Sequence, residues 1–208
     1  MSTAFRFHHA EQHIASVDPV MQRWIHRVGH CTLEPKGDIF LVLCDAIISQ
    51  QISVKASAAI LERFCMLFPN NAPTPNALLR MDNASLYTVG LSRAKVSYLY
   101  DAAARCMDGT VELNTLHMLD DETLMQTLMR IKGVGRWTAE MVMIFALNRL
   151  DVLSVGDLGL RKAMMQLYRL TVLPTPLEML SIAELWRPYR TIGSWYLWKV
   201  VDTEPNRW

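Results

Sequence analysis

The chain has 208 residues, of which 51% are hydrophobic and 20% charged, and its formal net charge is +1. This composition is that of a folded globular protein and excludes a disordered one, and the length allows one large domain or two smaller lobes. Because the chain is nearly neutral, any contact with nucleic acid must come from a local patch of charge.

Cysteine spacing and hydropathy indicate which classes of protein this chain does not belong to. The four cysteines form no CxxC pair and none follows Cys106, so we expect no zinc ribbon, disulfide framework or iron–sulfur cluster. No apolar run is long enough to span a bilayer, and the first residues lack the pattern of a signal peptide. We therefore expect a protein of the cytoplasm, associated with the nucleoid in a bacterium or located in the nucleus of a eukaryote.

The first half of the chain predicts helices with clear starting signals. Apolar residues recur at helical spacing and no period-two pattern indicates a strand, so the predicted fold class is all-α. Asp18-Pro19 predicts the start of a helix and Gly29 its end. Asp38 begins a strongly apolar helix that runs to Gln50, and Ser53 caps the next one.

The second half continues in the same way after a loop rich in proline and asparagine at 68–73. Helices are expected over 75–80, 83–88 and 92–107, from Asp120 or Asp121 onward, from Gly135 to about Asn148, over 157–170, and after Pro174 and Pro176. The total is about ten helices.

A turn with two glycines, Ile131-Lys132-Gly133-Val134-Gly135-Arg136, lies between two of these helices. Glycine allows positive φ and close approach of the backbone, and the helix that begins after Gly135 directs unpaired N–H groups outward. Such a turn suits a phosphate oxygen. A tightly packed connector between helices is the simpler explanation of a bare GxG. A dinucleotide fingerprint is excluded, because no strand precedes the turn and the third glycine is missing.

Several blocks of the sequence together resemble a known family. The stretch 131–140, followed by Val155-Gly156-Asp157-Leu158-Gly159-Leu160-Arg161-Lys162, is similar to the helix-hairpin-helix (HhH-GPD) superfamily of DNA glycosylases, and specifically to its 3-methyladenine DNA glycosylase II branch. The similarity extends to 48–53, 186–190 and 195–198, so it covers nearly the whole chain in order. The larger bacterial members carry an extra N-terminal domain, and this chain resembles a compact form without it.

The resemblance implies a fold of two α-helical lobes with the active site in the cleft between them. Residues 38–149 would form the helical barrel lobe with the hairpin, and residues 1–37 plus 150–208 the second lobe. The second lobe would carry the catalytic aspartate.

Asp157 has both a local and a functional interpretation. The local pattern makes it the N-cap of the following helix. The resemblance makes it the catalytic aspartate, which would stabilise positive charge on the sugar or deprotonate the attacking water. The roles are compatible, since a capping carboxylate is held rigidly. Trp137 occupies the position where strand-cutting members carry a lysine nucleophile, so a monofunctional enzyme without AP-lyase activity is expected.

The resemblance also implies the residues that hold DNA and the damaged base. The DNA-binding set is Gly133, Gly135, Lys132, Arg136 and Thr138. Gln51 would be the wedge that fills the gap left by a flipped base, although a plain polar helix terminus explains it equally well. Trp137, Trp198 and Met141 would line the base pocket, where aromatic rings attract a cationic alkylated base; core packing is the alternative for the tryptophans.

No cofactor is expected to be required, and a monovalent cation such as Na⁺ or K⁺ is the expected ion. By resemblance, the main-chain carbonyls of Met129, Ile131 and Val134 would hold it when DNA is bound. The histidine pairs 9/13 and 26/30 share helical faces without a third ligand in view, so we expect surface or core histidines there and no metal site.

The predicted function is hydrolysis of the N-glycosidic bond of alkylated purines, of the 3-methyladenine or 7-methylguanine type, in double-stranded DNA. We expect a monomer that flips the base and leaves an abasic site. Two alternatives stay open: a glycosylase for a deaminated or oxidised base, and a module that binds damaged DNA without catalysis. Asp157 argues against the module, because a pure binder needs only the hairpin.

Overall fold

The fold is helical throughout the part of the chain that the computed structural model describes, residues 6–203. That part contains no strand, which confirms the predicted all-α class. Its α-helices are α1 His8–Val17, α2 Pro19–Val28, α3 Ile39–Ser49, α4 Val54–Cys65, α5 Pro75–Leu79, α6 Asn83–Thr88, α7 Arg93–Met107, α8 Asp121–Leu128, α9 Arg136–Phe145, α10 Leu158–Leu167, α11 Pro176–Ala183 and α12 Arg190–Thr203. Between residues 6 and 203, none of these helices combines the length and apolarity needed to cross a membrane.

The chain divides into two compact units, one formed by residues 35–147 and the other by residues 1–34 with 148–208. The lobes expected from the resemblance were 38–149 and 1–37 with 150–208. The first unit therefore contains α3 to α9, and the second contains α1, α2 and α10 to α12.

Helix starts follow the predicted capping residues closely. The Asp18 carboxylate accepts hydrogen bonds from the Val20 and Met21 amides at 2.9 and 3.0 Å, and Asp38 and Ser53 cap α3 and α4 in the same manner. These starts were predictable because a cap is a contact between residues three positions apart or fewer.

Two helix ends and one whole helix differ from the expectation. α9 ends at Phe145 and α10 at Leu167, each shorter than predicted, and Asn148 and Arg169 just beyond them adopt left-handed φ angles of 53° and 56°. A left-handed residue ends a helix by turning the chain away from its axis. Helix α1 was not predicted, because its N-cap residue, Phe7, makes no side-chain hydrogen bond in the described part of the chain.

The unit of residues 35–147 is built around α3. Seven of the eleven residues of α3 are buried, and the helix packs against α4, α7 and α9. Such a helix is apolar on all sides because neighbours surround it. Gln50 and Gln51 follow directly after it, so the turn they form is attached to a helix that is largely buried in this unit.

The other unit is held together by buried aromatic side chains and by buried carboxylates, of which Asp18 makes the contacts between helices described here. Trp186 and Tyr196 are fully buried, and α12 packs against α10 and α2. The Asp18 carboxylate, 5% exposed, accepts from the Trp186 indole at 2.9 Å and from the Tyr168 hydroxyl. Burial and this hydrogen bond raise the pKa of Tyr168, which therefore stays protonated. One cap thus joins α2 to two distant parts of the sequence.

Candidate functional site

The hairpin comprises α8, the loop 129–135 and α9. Gly133 adopts φ +76°, and a Cβ atom placed on it would lie 2.3 Å from the Tyr98 ring. Both the backbone angle and the packing therefore require glycine at this position. Gly135, with φ −97°, is the N-cap of α9, and an added Cβ there would meet nothing within 4 Å.

The N-terminus of α9 is open. Its N-cap residue, Gly135, is exposed and has no side chain that could make a capping hydrogen bond. The first amides of a helix have no partner within the helix and lie at the positive end of its dipole. A helix start of this kind beside a glycine turn is suited to an anionic oxygen such as that of a phosphate.

A side chain that the sequence analysis did not single out supports the hairpin. The Gln50 amide nitrogen donates to the Gly133 carbonyl and to the Thr138 hydroxyl oxygen, both at 2.9 Å. The bond to Gly133 fixes the loop and the bond to Thr138 fixes the first turn of α9. No local pattern could have identified Gln50, because its partners lie far along the sequence.

Helix α7 holds the loop from another side. The Lys132 amide donates to the Asp101 carboxylate at 2.7 Å, and the Lys132 ammonium lies 2.9 Å from the Ser97 hydroxyl. Together with the Tyr98 ring against Gly133, these contacts come from consecutive turns of α7. The hairpin loop is therefore positioned by tertiary contacts as well as by its own glycines.

The predicted DNA-binding side chains differ in their accessibility. Lys132 is exposed, and the Arg136 side chain is 69% exposed while its guanidinium pairs with the buried Glu140 carboxylate at 2.8 Å. Thr138 is only 2% exposed. Its hydroxyl is bound to Gln50, so a contact of Thr138 with DNA would have to come from its main chain, and that contact stays a prediction.

The predicted wedge residue Gln51 lies in an unusual backbone conformation. It is exposed, with φ +57°, in the turn directly after α3. Residues other than glycine adopt this region infrequently, and such angles recur at functional sites. The Lys95 ammonium donates to the Ile48 carbonyl at 2.7 Å at the end of α3, and desolvation lowers the pKa of Lys95. The turn with Gln51 is thus braced on both sides, by Lys95 and by Gln50.

Asp157 is the N-cap of α10, as the local pattern indicated. Its Oδ1 atom accepts from the Leu160 amide at 2.8 Å, and its own amide donates to the Ser154 carbonyl at 3.0 Å. The residue is half-buried. A carboxylate that accepts a hydrogen bond from the first turn of its own helix is held in one orientation.

Gly159 lies against this carboxylate and close to the Trp198 side chain. A Cβ atom on Gly159 would lie 3.0 Å from Asp157 Oδ1 and 3.8 Å from Trp198 Cδ1. Gly159 has no positive φ angle, so only the space explains the glycine. Asp157 and Trp198, predicted separately as the catalytic carboxylate and a base-pocket residue, thus both lie close to Gly159.

The other predicted pocket residues lie on α9. Trp137, in its first turn, is half-buried, and Met141, one turn further on, is 6% exposed. The carbonyls proposed for a cation belong to the adjoining loop. The Ile131 carbonyl accepts from the Val134 amide at 3.1 Å, which leaves one of its two lone pairs.

The fold and these features define a helix-hairpin-helix protein with a fixed carboxylate at a helix N-terminus. The family model described as "HhH-GPD superfamily base excision DNA repair protein" matches residues 44–188. The chain belongs to this superfamily, which confirms the resemblance.

Two similar proteins and one solved structure have names that refer to glycosylases of alkylated bases or of 3-methyladenine in DNA. The chain is 32% identical over 205 residues to the alkylbase DNA glycosidase-like protein mag2 of Schizosaccharomyces pombe, with 96% of each chain covered. It is 36% identical to DNA-3-methyladenine glycosylase 1 of the same organism, over 91% of this chain and 86% of that protein. A solved structure of S. pombe 3-methyladenine DNA glycosylase (Mag1) in complex with abasic DNA matches with a TM-score of 0.86 and 34% identity, covering 93% of this chain and 96% of that one. These names place the chain in the 3-methyladenine glycosylase branch.

Proposed function

We propose that this protein binds double-stranded DNA, flips an alkylated purine out of the helix and hydrolyses its N-glycosidic bond. The observation that carries the proposal is the Asp157 carboxylate, which is fixed as the N-cap of α10 beside Gly159, a glycine that the Trp198 side chain also approaches. The names of the relatives give the substrate class, and the open start of α9 supports a grip on the DNA backbone.

Cleavage of the glycosidic bond of an alkylated purine depends more on a carboxylate that stabilises the sugar than on an acid that protonates the base. Alkylation at N3 or N7 makes the purine cationic, so the base leaves as a neutral molecule when the C1′–N bond breaks and takes both bonding electrons. The sugar then carries positive charge, which the Asp157 carboxylate stabilises. Water adds at C1′ and loses one proton, to solvent or to Asp157. The products are the free base and an abasic site.

Several residues would share the work of binding. The amides at Gly133 and Gly135, with Lys132 and Arg136, would contact backbone phosphates without reading sequence. Gln51 would occupy the space left by the flipped base. A monovalent cation on the carbonyls of Met129, Ile131 and Val134 remains part of the proposal, as does location in the compartment that holds the genome.

The absence of lyase chemistry is proposed on two grounds. Trp137 carries no amine, and the Lys132 ammonium is 2.9 Å from the Ser97 hydroxyl. We therefore expect no borohydride-trapped covalent complex with DNA. A trapped complex would contradict this part of the proposal and leave the glycosylase activity standing.

The decisive experiment uses Asp157→Asn with duplexes that contain a single 7-methylguanine, 3-methyladenine, hypoxanthine or 8-oxoguanine, with alkali to reveal abasic sites. Asparagine caps a helix as well as aspartate does, so the variant should fold normally. We expect its single-turnover rate on alkylated bases to fall by at least about 10²-fold. Affinity for a duplex with an abasic-site analogue should change by less than about twofold, or 0.4 kcal/mol.

A matched control is Asp82→Asn, which makes the same change at the N-cap of α6. It should retain full activity. If the unmodified protein released only hypoxanthine or 8-oxoguanine, its substrates would be deaminated or oxidised bases instead of alkylated purines. Release of none of the four bases would indicate a module that binds damaged DNA without catalysis. Substantial turnover by Asp157→Asn would refute the role of the aspartate.

A further inference from the structure

A cluster of metal-ligating side chains lies outside the site described above, in the unit that contains the chain's first residues. His8, at the start of α1, Glu11, one turn later, and His30, just after α2, bring their potential ligand atoms within 4.8 Å of one another. The two imidazole rings have centroids 6.0 Å apart and are inclined at 65°. Sequence periodicity had paired the histidines differently, as 9/13 and 26/30, and therefore found no third ligand.

The carboxylate at the centre of the cluster is buried and firmly held. The Glu11 side chain is 6% exposed. Its Oε1 atom accepts from the Cys31 amide at 2.6 Å and lies 3.0 Å from the Tyr196 hydroxyl, which also lies 2.8 Å from the Gly29 carbonyl. Oε1 is thus occupied by protein partners, as is common for the outer-shell contacts of metal-binding carboxylates.

The second oxygen of Glu11 is directed to both histidines. Oε2 lies 2.9 Å from His30 Nδ1 and 3.8 Å from His8 Nδ1. In a tetrahedral zinc site, with bonds of about 2.0–2.2 Å, the ligand atoms are about 3.4 Å apart. The two observed distances lie on either side of that value, so the histidine rings would have to move only slightly. His8 and His30 can move in this way because their side chains are 46% and 49% exposed.

We propose that His8, Glu11 and His30 bind a zinc ion through His8 Nδ1, Glu11 Oε2 and His30 Nδ1. Two imidazoles and one carboxylate are a ligand set that Zn²⁺ accepts, with water in the fourth position. The ion would fasten the start of α1 to the segment after α2, a structural role independent of the glycosylase reaction.

The test is zinc binding by the full chain after treatment with EDTA, measured by equilibrium dialysis with metal analysis and by thermal unfolding with and without Zn²⁺. We expect one equivalent of zinc per chain, and a higher Tm with Zn²⁺ because a ligand of the folded state stabilises it. Mg²⁺, which prefers an all-oxygen octahedral site, should produce neither effect.

Substitutions assign the binding to these residues. His8→Ala and His30→Ala should each weaken zinc binding by more than about tenfold, since loss of an outer-shell partner alone typically weakens it by 10–100-fold. His26→Ala is the matched control, because His26 is an exposed histidine on the neighbouring α2. It should bind zinc like the unmodified chain.

Glu11→Gln retains an oxygen acceptor for the Cys31 amide, and circular dichroism checks that the variant is folded. Folded Glu11→Gln should also lose zinc. The absence of stoichiometric zinc in the unmodified chain would overturn the proposal, as would equal losses in His26→Ala and His30→Ala. In either case the contact between Glu11 and His30 is a hydrogen bond without a metal role. Neither result bears on Asp157, so failure here is distinguishable from failure of the proposed function.

Discussion

Gly133→Ala would test how the hairpin loop is positioned. The new Cβ atom would lie 2.3 Å from two carbons of the Tyr98 ring and 2.5 Å from a third, on a residue with φ +76°. The clash involves the ring close to its attachment to α7, so rotation of a flexible side-chain end cannot relieve it. Either the ring or the loop must move.

The expected loss of stability combines two effects. A residue other than glycine in the left-handed region costs about 1–2 kcal/mol, and overpacking a tight contact costs about 1–3 kcal/mol. The free energy of unfolding should therefore fall by about 2–5 kcal/mol. Two glycines of the same unit separate the effects. Gly109, with φ +80° and nothing within 4 Å of an added Cβ, has only the backbone effect, and Gly135 has neither.

Urea unfolding of the three alanine variants, with affinity for a duplex that contains an abasic-site analogue, measures the prediction. Gly109→Ala should lose about 1–2 kcal/mol, and Gly135→Ala less than about 1 kcal/mol. Tyr98→Ala combined with Gly133→Ala should lose less than the sum of the single variants, because the ring is gone. If Gly133→Ala proved no less stable than Gly109→Ala, the argument from the Tyr98 contact would be refuted.

Two further substitutions test the residues that position the proposed site. Gly159→Ala places a methyl group 3.0 Å from Asp157 Oδ1. We expect kcat to fall by up to about tenfold, while the stability of the helix increases by as much as about 1 kcal/mol. A variant that keeps full kcat would contradict the positioning role of Gly159. Gln50→Leu leaves the Gly133 carbonyl and the buried Thr138 hydroxyl without their donor. We expect a loss of about 1–3 kcal/mol in unfolding free energy together with weaker binding to abasic DNA. If both values were unchanged, Gln50 would not be the residue that positions the hairpin loop.

What could be predicted from the sequence was mostly local. Asp18, Asp38 and Ser53 were identified as caps because the cap and its partner amides are neighbours in the chain. α1 was missed, because Phe7 provides no such signal. The ends of α9 and α10 were placed too late, because neither helix is followed by a glycine and left-handed φ angles of asparagine and arginine give no reliable pattern.

At the candidate site, too, only contacts between neighbours in the chain could be predicted from the sequence. Local pattern identified Asp157 as an N-cap, and only the family resemblance suggested catalysis. Gln50 and Tyr98 escaped notice since their importance comes from Gly133, which is distant in sequence and adjacent in space. Thr138 was assigned to DNA by its position in a motif, and its burial could not be foreseen without the Gln50 side chain that covers it.

The positions of Gln50 and Gln51 link two parts of the proposed mechanism. Gln51 projects from a left-handed turn at the end of the buried helix α3, and its neighbour Gln50 holds both the Gly133 carbonyl and the first turn of α9. The Gln50 side chain therefore connects the candidate wedge directly to the loop proposed to bind phosphate. Flipping a base costs a few kcal/mol, which binding energy must offset. If Gln51 is the wedge and the hairpin binds phosphate, as proposed, this connection would let binding energy gained at the backbone help to hold Gln51 in the space that the base has left.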